Sequence, residues 1–279
     1  MPVAVLPLVL LAAVCHASWN ALLKASENPL SLAARAMSLG TLVALPPVAA
    51  LWLAQGRPGL PLAGWLLALA SAGLELGYFI TLSIAYQRGE LSVVYPIARG
   101  TAPLLAVVVG LVLLGERVHL VALAGILFLL AGMWAVRRPS SAGSALGPAL
   151  LTGIVIAAYT SLDRIGVRLG PPWLYGWLLW FFGAIFLVTF TRLRRVAENR
   201  LTDQFRVSLA VGVLMTSAYF MILFALSIAP LAIVAPLRES AIVLVTAWGI
   251  WRLGERRGAW VRMAGAFAIV GGIALLTLA

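Results

Sequence analysis

The sequence is poor in the side chains on which most enzymes and metal sites depend. Of its 279 residues, one is cysteine, two are histidine and nine are Asp or Glu. The lone cysteine, Cys15, excludes an internal disulfide, and two histidines are too few for a typical zinc site. The chain also lacks an HExxH segment, a P-loop, a glycine-rich dinucleotide fingerprint and a plausible nucleophile motif. We therefore expect neither enzymatic activity nor a bound metal or cofactor.

Charge is scarce as well, and most of it is positive. Charged residues make up 10% of the chain, hydrophobic residues make up 63%, and the net charge is +11. Roughly a quarter of the residues in a soluble domain are charged, so this composition excludes that class. Basic residues in short loops fix the orientation of membrane helices. The positive charge therefore predicts a membrane protein and not a partner of nucleic acids.

What the sequence has instead is a series of long apolar runs, and its mean hydropathy is +1.05. A helix needs about 20 residues to span a bilayer. Ten runs have about that length, over residues 3–24, 30–53, 61–86, 91–114, 118–136, 146–168, 173–191, 207–228, 231–251 and 259–278. The first run has no basic start and no small-residue cleavage site, which is typical of a span and not of a leader peptide. We predict an all-α integral membrane protein with ten transmembrane helices, multi-pass in the cell (inner) membrane.

Two halves of the chain repeat the same landmarks. The segment LSVVYP, from Leu91 to Pro96, matches LAIVAP, from Leu231 to Pro236. The segment LGER, from Leu114 to Arg117, recurs from Leu253 to Arg256. Near the start of each half, HASWN at 16–20 matches YTSLD at 159–163. These matches indicate an internal duplication.

The duplication predicts how the chain is divided. We place a first five-helix repeat over 1–137, a polar linker over 138–146 and a second five-helix repeat over 147–279. Because five is an odd number, two copies must insert in opposite orientation. Inverted repeats of this kind are the architecture that secondary transporters use for alternating access.

These residues resemble the EamA-type branch of the drug/metabolite transporter superfamily. The resemblance rests on the two repeats, on the first helix AVCHASWNALLK (Ala13–Lys24), and on the segments from a proline to LGE (Pro96–Glu116 and Pro236–Glu255). It implies a ten-helix bundle that moves small metabolites, often outward, with a central cavity lined mainly by helices 1, 3, 4, 6, 8 and 9. Members handle amino acids, nucleotide sugars, cations and other small solutes, so the resemblance leaves the solute open.

Charged residues inside the apolar runs are the main candidates for function, because a charge at bilayer depth costs a few kcal/mol. Arg99 and Arg238 follow Pro96 and Pro236 at comparable places in the two repeats. A guanidinium grips a carboxylate or phosphate with two hydrogen bonds. We expect Arg99 to line a cavity, where it binds an anionic group or is neutralised by Glu75. Structural ion pairs that hold helices in register are the alternative for each of these charges.

Other polar and aromatic residues complete the predicted site. Glu75 lies near the middle of the third run, between Ser71 and Tyr78 at helical spacing, and is the candidate for proton coupling. Aromatic rings with a few convergent polar groups are typical of a small-ligand pocket. The predicted solute-binding residues are His16, Trp19, Asn20, Tyr78, Arg99, Tyr159, Asp163, Tyr219 and Arg238.

The leading functional prediction is a secondary active exporter of small amphipathic metabolites, such as amino acids, by alternating access. The alternative is a flippase or efflux protein for lipid-linked or cationic amphipathic compounds. We expect a small-molecule solute, the lipid bilayer and protons as partners, and a chain that works as a monomer or weak homo-oligomer. Because no ATP motif occurs, the energy must come from a gradient.

The orientation of the chain has two opposed predictions. With ten spans, both termini lie on the same side of the membrane. The odd-numbered connections carry 13 basic residues and the even-numbered ones carry three, which predicts cytoplasmic odd connections and external termini. The family resemblance implies cytoplasmic termini instead, so the side of the termini stays open.

Overall fold

The described part of the chain is helical, with no strand among these residues. The computed structural model describes residues 2, 4–24, 26–88, 91–137, 143–196, 204–240 and 259–278. In chain order the helices are α1 (Val5–Lys24), α2 (Pro29–Ala54), α3 (Leu62–Arg88), α4 (Leu91–Val108), α5 (Leu120–Arg137), α6 (Leu146–Gly166), α7 (Pro172–Leu193), α8 (Gln204–Ile228), α9 (Leu231–Leu237) and α10 (Ala259–Leu278). The all-α prediction is therefore confirmed for the described residues.

The prediction of ten membrane spans is confirmed only in part. Five described helices are long and apolar enough to cross a bilayer, within α2, α3, α6, α7 and α8. Apolar stretches of α1, α4, α5 and α10 are shorter. The ninth predicted span begins as α9 and continues into a 3₁₀ turn, Arg238–Ser240. The rest of that span lies in 241–258, outside the described residues.

The helices form two compact units, each of which takes segments from both sequence repeats. The first, which we call the α2–α7 unit, comprises Leu11–Leu76 and Leu162–Ser227. The second, which we call the α5–α10 unit, comprises Met1–Leu10, Gly77–Ser161 and Ile228–Ala279. The predicted domain boundaries at 137 and 147 follow the sequence repeat and stay a prediction.

In the α2–α7 unit, small residues let helix backbones approach closely. Helix α2 packs against α7, and the indole N–H of Trp177 donates to the Thr41 carbonyl oxygen at 3.2 Å. Helix α2 also meets α8, where a Cβ on Gly40 would lie 2.8 Å from the carbonyl oxygen of Gly212. Only glycine fits at such a distance, and small residues are common at helix contacts in membranes.

In the α5–α10 unit, the pairing of α5 with α10 is equally close. A Cβ on Gly272 would lie 2.6 Å from the carbonyl oxygen of Gly125, and one on Gly125 would lie 2.8 Å from that of Gly272. About two turns further along each helix, Gly132 lies against the Gly265 carbonyl in the same way. Glycines at matching depth on the two helices therefore fix how near their axes come.

The first LGER segment has a structural explanation within the α5–α10 unit. Helix α4 ends in a π-helical turn, Val109–Leu113, and Gly115 follows with a φ of +62°, a conformation that favours glycine. The turn carries the Glu116 carboxylate to the start of α9, where its oxygens accept from the N–H groups of Leu231 and Ala232 at 2.8 and 3.0 Å. These N–H groups have no partner inside the helix, so Glu116 caps α9. The counterpart, Glu255, lies outside the described residues.

Candidate functional site

The Asp163 carboxylate is the centre of a buried polar cluster in the α2–α7 unit. Asp163 is 1% exposed. Its Oδ1 accepts from the Ser71 hydroxyl at 2.6 Å and from the Tyr175 hydroxyl at 2.9 Å, while its Oδ2 accepts from the Tyr219 hydroxyl. These donors come from α3, α7 and α8, so one carboxylate joins four helices. Three O–H donors suit an ionised carboxylate, which has only acceptor capacity.

Aromatic rings border this cluster on the α8 side. Trp180 of α7 packs on Tyr219 with ring centroids 4.5 Å apart, and its indole N–H donates to the Thr216 hydroxyl at 2.8 Å. Phe220 meets the same indole edge to face at 6.4 Å. One of the three hydroxyl donors of Asp163, that of Tyr219, is thus held in position by ring packing.

Arg164, the next residue after Asp163, has a separate role. It is buried, and its guanidinium donates to the carbonyl oxygen of Leu226 in α8. The residue four positions after Leu226 is Pro230, which has no N–H to donate to that oxygen. Successive residues on a helix point about 100° apart, so Arg164 points in a different direction from Asp163. Arg164 therefore satisfies an orphaned carbonyl at the end of α8.

Glu75, the predicted coupling residue, is buried in the same unit. It lies one helical turn after Ser71 on α3, and its exposed fraction is 6%. A Cβ on Gly183 of α7 would lie 3.9 Å from Glu75 Oε2, so the carboxylate faces the α7 backbone. Tyr175 is within electrostatic range of both Glu75 and Asp163. The two carboxylates thus share one aromatic neighbour.

The predicted residues of α1 lie close together. His16 and Trp19 meet edge to face with ring centroids 4.8 Å apart. The Asn20 amide donates to the His16 carbonyl oxygen at 2.8 Å, a bond within the helix. Trp19 is 5% exposed, and its Nε1 has no hydrogen-bond partner among the described residues. Of the three, Trp19 therefore has a buried donor to offer a ligand.

Arg99 forms an ion pair in the α5–α10 unit. Its Nη2 lies 3.4 Å from Oε1 of Glu239, and both side chains are about 95% buried. The structure thus brings the carboxylate of Glu239 to Arg99, and the neutralisation of Arg99 by Glu75 stays a prediction. Helix α4 packs against α9, and Glu239 lies in the 3₁₀ turn directly after α9. Arg238, next to Glu239, is also buried.

Tyr78 and Tyr159 lie together in the α5–α10 unit. Their ring centroids are 6.3 Å apart in an edge-to-face arrangement, and both residues are buried. Tyr78 belongs to this unit, whereas Ser71 and Glu75 on the same helix belong to the other. The predicted polar stripe of α3 is therefore divided between the two units.

Sequence reasoning missed Tyr175 and Trp180. Both lie in an aromatic-rich segment, PWLYGWLLWFF, which is typical of rings that anchor a helix at the membrane interface. Tyr175 is fully buried and Trp180 nearly so. Tyr175 lies two residues after Trp173 in the first turn of α7, so its position does not distinguish it from an interfacial ring. Trp180 lies about two turns after Trp173, and that depth was the available signal.

The sequence was compared with models of known families. The model of the EamA-like transporter family matches twice, over residues 4–138 and 144–278. The chain belongs to the EamA-like transporter family. Its members are transporters, not enzymes, which agrees with the expectation from composition. The family match and the apolar helices together indicate a multi-pass membrane protein.

Comparison with solved structures supports the fold of this EamA-like chain. One crystal structure is 21% identical in sequence, with a TM-score of 0.75, and the alignment covers 98% of this chain and 96% of that one. At this identity the likeness concerns the fold alone. No curated protein matches the sequence.

Proposed function

We propose that the protein is a secondary active exporter of small amphipathic metabolites of the amino acid kind, working by alternating access. The observation that carries this proposal is the buried Asp163 carboxylate, bonded to three hydroxyl groups inside apolar helices of a transporter-family chain. A charge in such a place is costly and is usually tied to a substrate or ion pathway.

The chemistry of the Asp163 cluster suits an ammonium group. A carboxylate attracts the charge of an amine, and the rings of Tyr219 and Trp180 lie beside this carboxylate. Hydroxyl groups can exchange one acceptor for another at little cost, because each keeps a hydrogen bond. An incoming amine can therefore replace hydroxyl donors at Asp163 without leaving the carboxylate unpaired.

The α5–α10 unit contains the complementary chemistry. Arg99 is buried and its fork is suited to a carboxylate. A solute carboxylate would compete with Glu239 for Arg99 and would replace one buried ion pair by another. A zwitterion matches both kinds of group, which is why we favour amino acids and related compounds.

Protons are the coupling ion that we propose, with Glu75 as the carrier. Glu75 is buried beside the α7 backbone and near the Asp163 cluster, so its charge state acts on the groups that we propose bind the solute. No ATP-binding motif is present in the sequence, so a gradient has to supply the energy.

A second candidate is efflux of cationic amphipathic compounds. The setting of Asp163 favours it, since a single carboxylate among aromatic rings recognises a cation without needing an anionic partner. For such a substrate Asp163 is essential and Arg99 is dispensable, which separates the two candidates.

Counterflow in proteoliposomes tests the proposal. Purified protein is reconstituted, loaded with unlabelled compounds, and assayed for exchange with labelled amino acids and, in parallel, a labelled cationic amphipath. We expect amino acid exchange by the wild type, its loss in Asp163→Asn and in Arg99→Gln, and its retention in the exposed-carboxylate control Glu27→Gln. Trp19→Phe keeps an aromatic ring but removes the buried indole N–H donor, and we expect it to lower exchange.

The outcomes distinguish the candidates. Exchange of the cationic amphipath that survives Arg99→Gln but not Asp163→Asn would favour the second candidate. Exchange of amino acids that is unaffected by both Asp163→Asn and Arg99→Gln would contradict the first.

A further inference from the structure

A cavity of about 700 Å³ lies at one end of the α2–α7 unit, away from the Asp163 cluster in sequence and chemistry. Its walls are the first turns of α2, the last turn of α7 and the first turn of α8. Volumes of this order are typical of small-ligand sites. Because α2, α7 and α8 are apolar spans that start or end here, the cavity is expected at the membrane–water interface.

Three arginines line this cavity. Arg192 comes from the last turn of α7, Arg195 follows that helix, and Arg35 comes from α2. The Arg35 guanidinium donates to the Gln204 side chain. No Asp or Glu is among the lining residues that the structure describes. Hydroxyl groups of Ser38 and Thr191 stand among the arginines. The lining therefore offers fixed positive charge with neutral hydrogen-bonding groups.

The backbone of Arg195 turns the chain at the edge of this cavity. Its φ is +49°, in the left-handed region, at the position that follows the Arg194 cap of α7. The turn is closed by the N–H of Val196, which donates to the Thr191 carbonyl oxygen at 2.9 Å. Glycine is the residue that fits this position best, and a side chain there costs about 1 kcal/mol. The turn places Arg195 in the lining of the cavity.

We propose that this cavity binds a phosphate-type anion at the membrane interface, carried by an anionic phospholipid headgroup or present as free phosphate. Arginine forks bind phosphate oxygens in pairs. The first turns of α2 and α8 add the positive ends of two helix dipoles. Apolar residues such as Leu39 and Val188 also line the cavity, so it accepts the glycerol and acyl carbons next to a headgroup.

The proposal does not depend on the transported solute. If odd-numbered connections are cytoplasmic, as the basic residues predict, the cavity faces the leaflet surface where anionic lipids attract basic groups. The connection from Thr191 to Arg206 carries five arginines and two acidic residues, so the surrounding charge favours an anion as well.

The test compares two double variants that each lose two positive charges, one inside the cavity and one outside it. The site variant is Arg192→Gln with Arg195→Gly, and the control is Arg194→Gln with Arg168→Gln. Arg194 lies between the two lining arginines but packs on Phe190 instead, and Arg168 is exposed and outside the lining. Arg195→Gly suits the left-handed φ, so the single Arg195→Gly variant keeps the experiment valid if the double variant does not fold.

Two probes are used on protein in neutral detergent. Native mass spectrometry measures retention of phosphatidylglycerol against phosphatidylcholine, and thermal unfolding measures stabilisation by inorganic phosphate against chloride at equal ionic strength. We expect a preference for at least one phosphate probe, reduced roughly tenfold or more in the site variant because charge-assisted hydrogen bonds are lost, and retained in the control.

Preference for phosphatidylglycerol alone assigns the lipid source, and stabilisation by phosphate alone assigns the free anion. Equal losses in site and control variants, or binding of neither probe by the wild type, would overturn the proposal.

Discussion

Arg99 and Glu239 are joined in a buried ion pair, with Nη2 of the arginine 3.4 Å from Oε1 of the glutamate. Removing one partner leaves the other charge buried, so Arg99→Gln or Glu239→Gln alone is expected to cost about 3–5 kcal/mol. The double variant is expected to cost less than the sum of the two, since neither charge is left behind. Chemical unfolding in detergent micelles measures all three.

The same variants separate a structural role from a solute-binding role. If the pair only holds α4 and α9 together, the double variant regains exchange in proteoliposomes along with stability. If Arg99 binds the solute, stability returns and exchange does not. The second result is the one that we expect.

Loss of the α9 cap should destabilise the α5–α10 unit. Glu116→Ala removes the acceptor of two helix N–H groups, and we expect a loss of about 0.5–2 kcal/mol in unfolding free energy. The exposed neighbour Arg117 provides the control, since Arg117→Ala removes charge without touching the cap. Equal effects of the two substitutions would rule out capping as the cause.

The Ser71 and Tyr175 hydroxyl groups that donate to Asp163 are expected to contribute more to the unfolding free energy than an exposed hydroxyl group does. Ser71→Ala and Tyr175→Phe each take one hydrogen bond from a buried carboxylate, which costs about 1–3 kcal/mol. The exposed hydroxyl of Ser18 donates only to its own helix, and Ser18→Ala should have little effect on unfolding. An unchanged unfolding free energy in both Ser71→Ala and Tyr175→Phe would contradict a stabilising role for these two hydrogen bonds.

Two adjacent glycines of α10 form a matched pair. A Cβ on Gly272 would meet the Gly125 carbonyl oxygen, whereas one on Gly271 meets no atom within 4 Å. We expect Gly272→Ala to lower the unfolding free energy by about 1–3 kcal/mol through overpacking. Gly271→Ala should be neutral or gain up to about 1 kcal/mol of helix propensity. Similar values for the two would contradict the close α5–α10 approach.

Glu75→Gln tests proton coupling. The amide keeps the size of the side chain but cannot carry a proton, so uptake driven by a pH gradient should be lost while counterflow exchange persists. The control Glu27→Gln changes an exposed carboxylate and should leave both assays unchanged. Proton-driven uptake at the wild-type rate in Glu75→Gln would remove this residue from the coupling role.

The contact partners of several site residues are known only from the tertiary structure. Charge in an apolar run already pointed to Arg99, Asp163 and Glu75, because burying a charge is costly wherever it occurs. The partners did not follow from that rule. Glu239 lies against Arg99, a pairing that the sequence did not single out, and Tyr175 was indistinguishable from an interfacial ring.

The sequence by itself determined that the chain is helical and apolar and that its landmarks occur twice, because the composition and spacing of residues act locally along each helix. Nine of the ten predicted runs coincide closely with described helices, and the remaining one, 231–251, begins as α9. Which side chains meet was decided only by tertiary structure. Contacts such as Glu116 with Leu231 or Asp163 with Tyr219 join residues far apart in the chain, and helix packing distance and rotation, set by glycines and turns, bring them together.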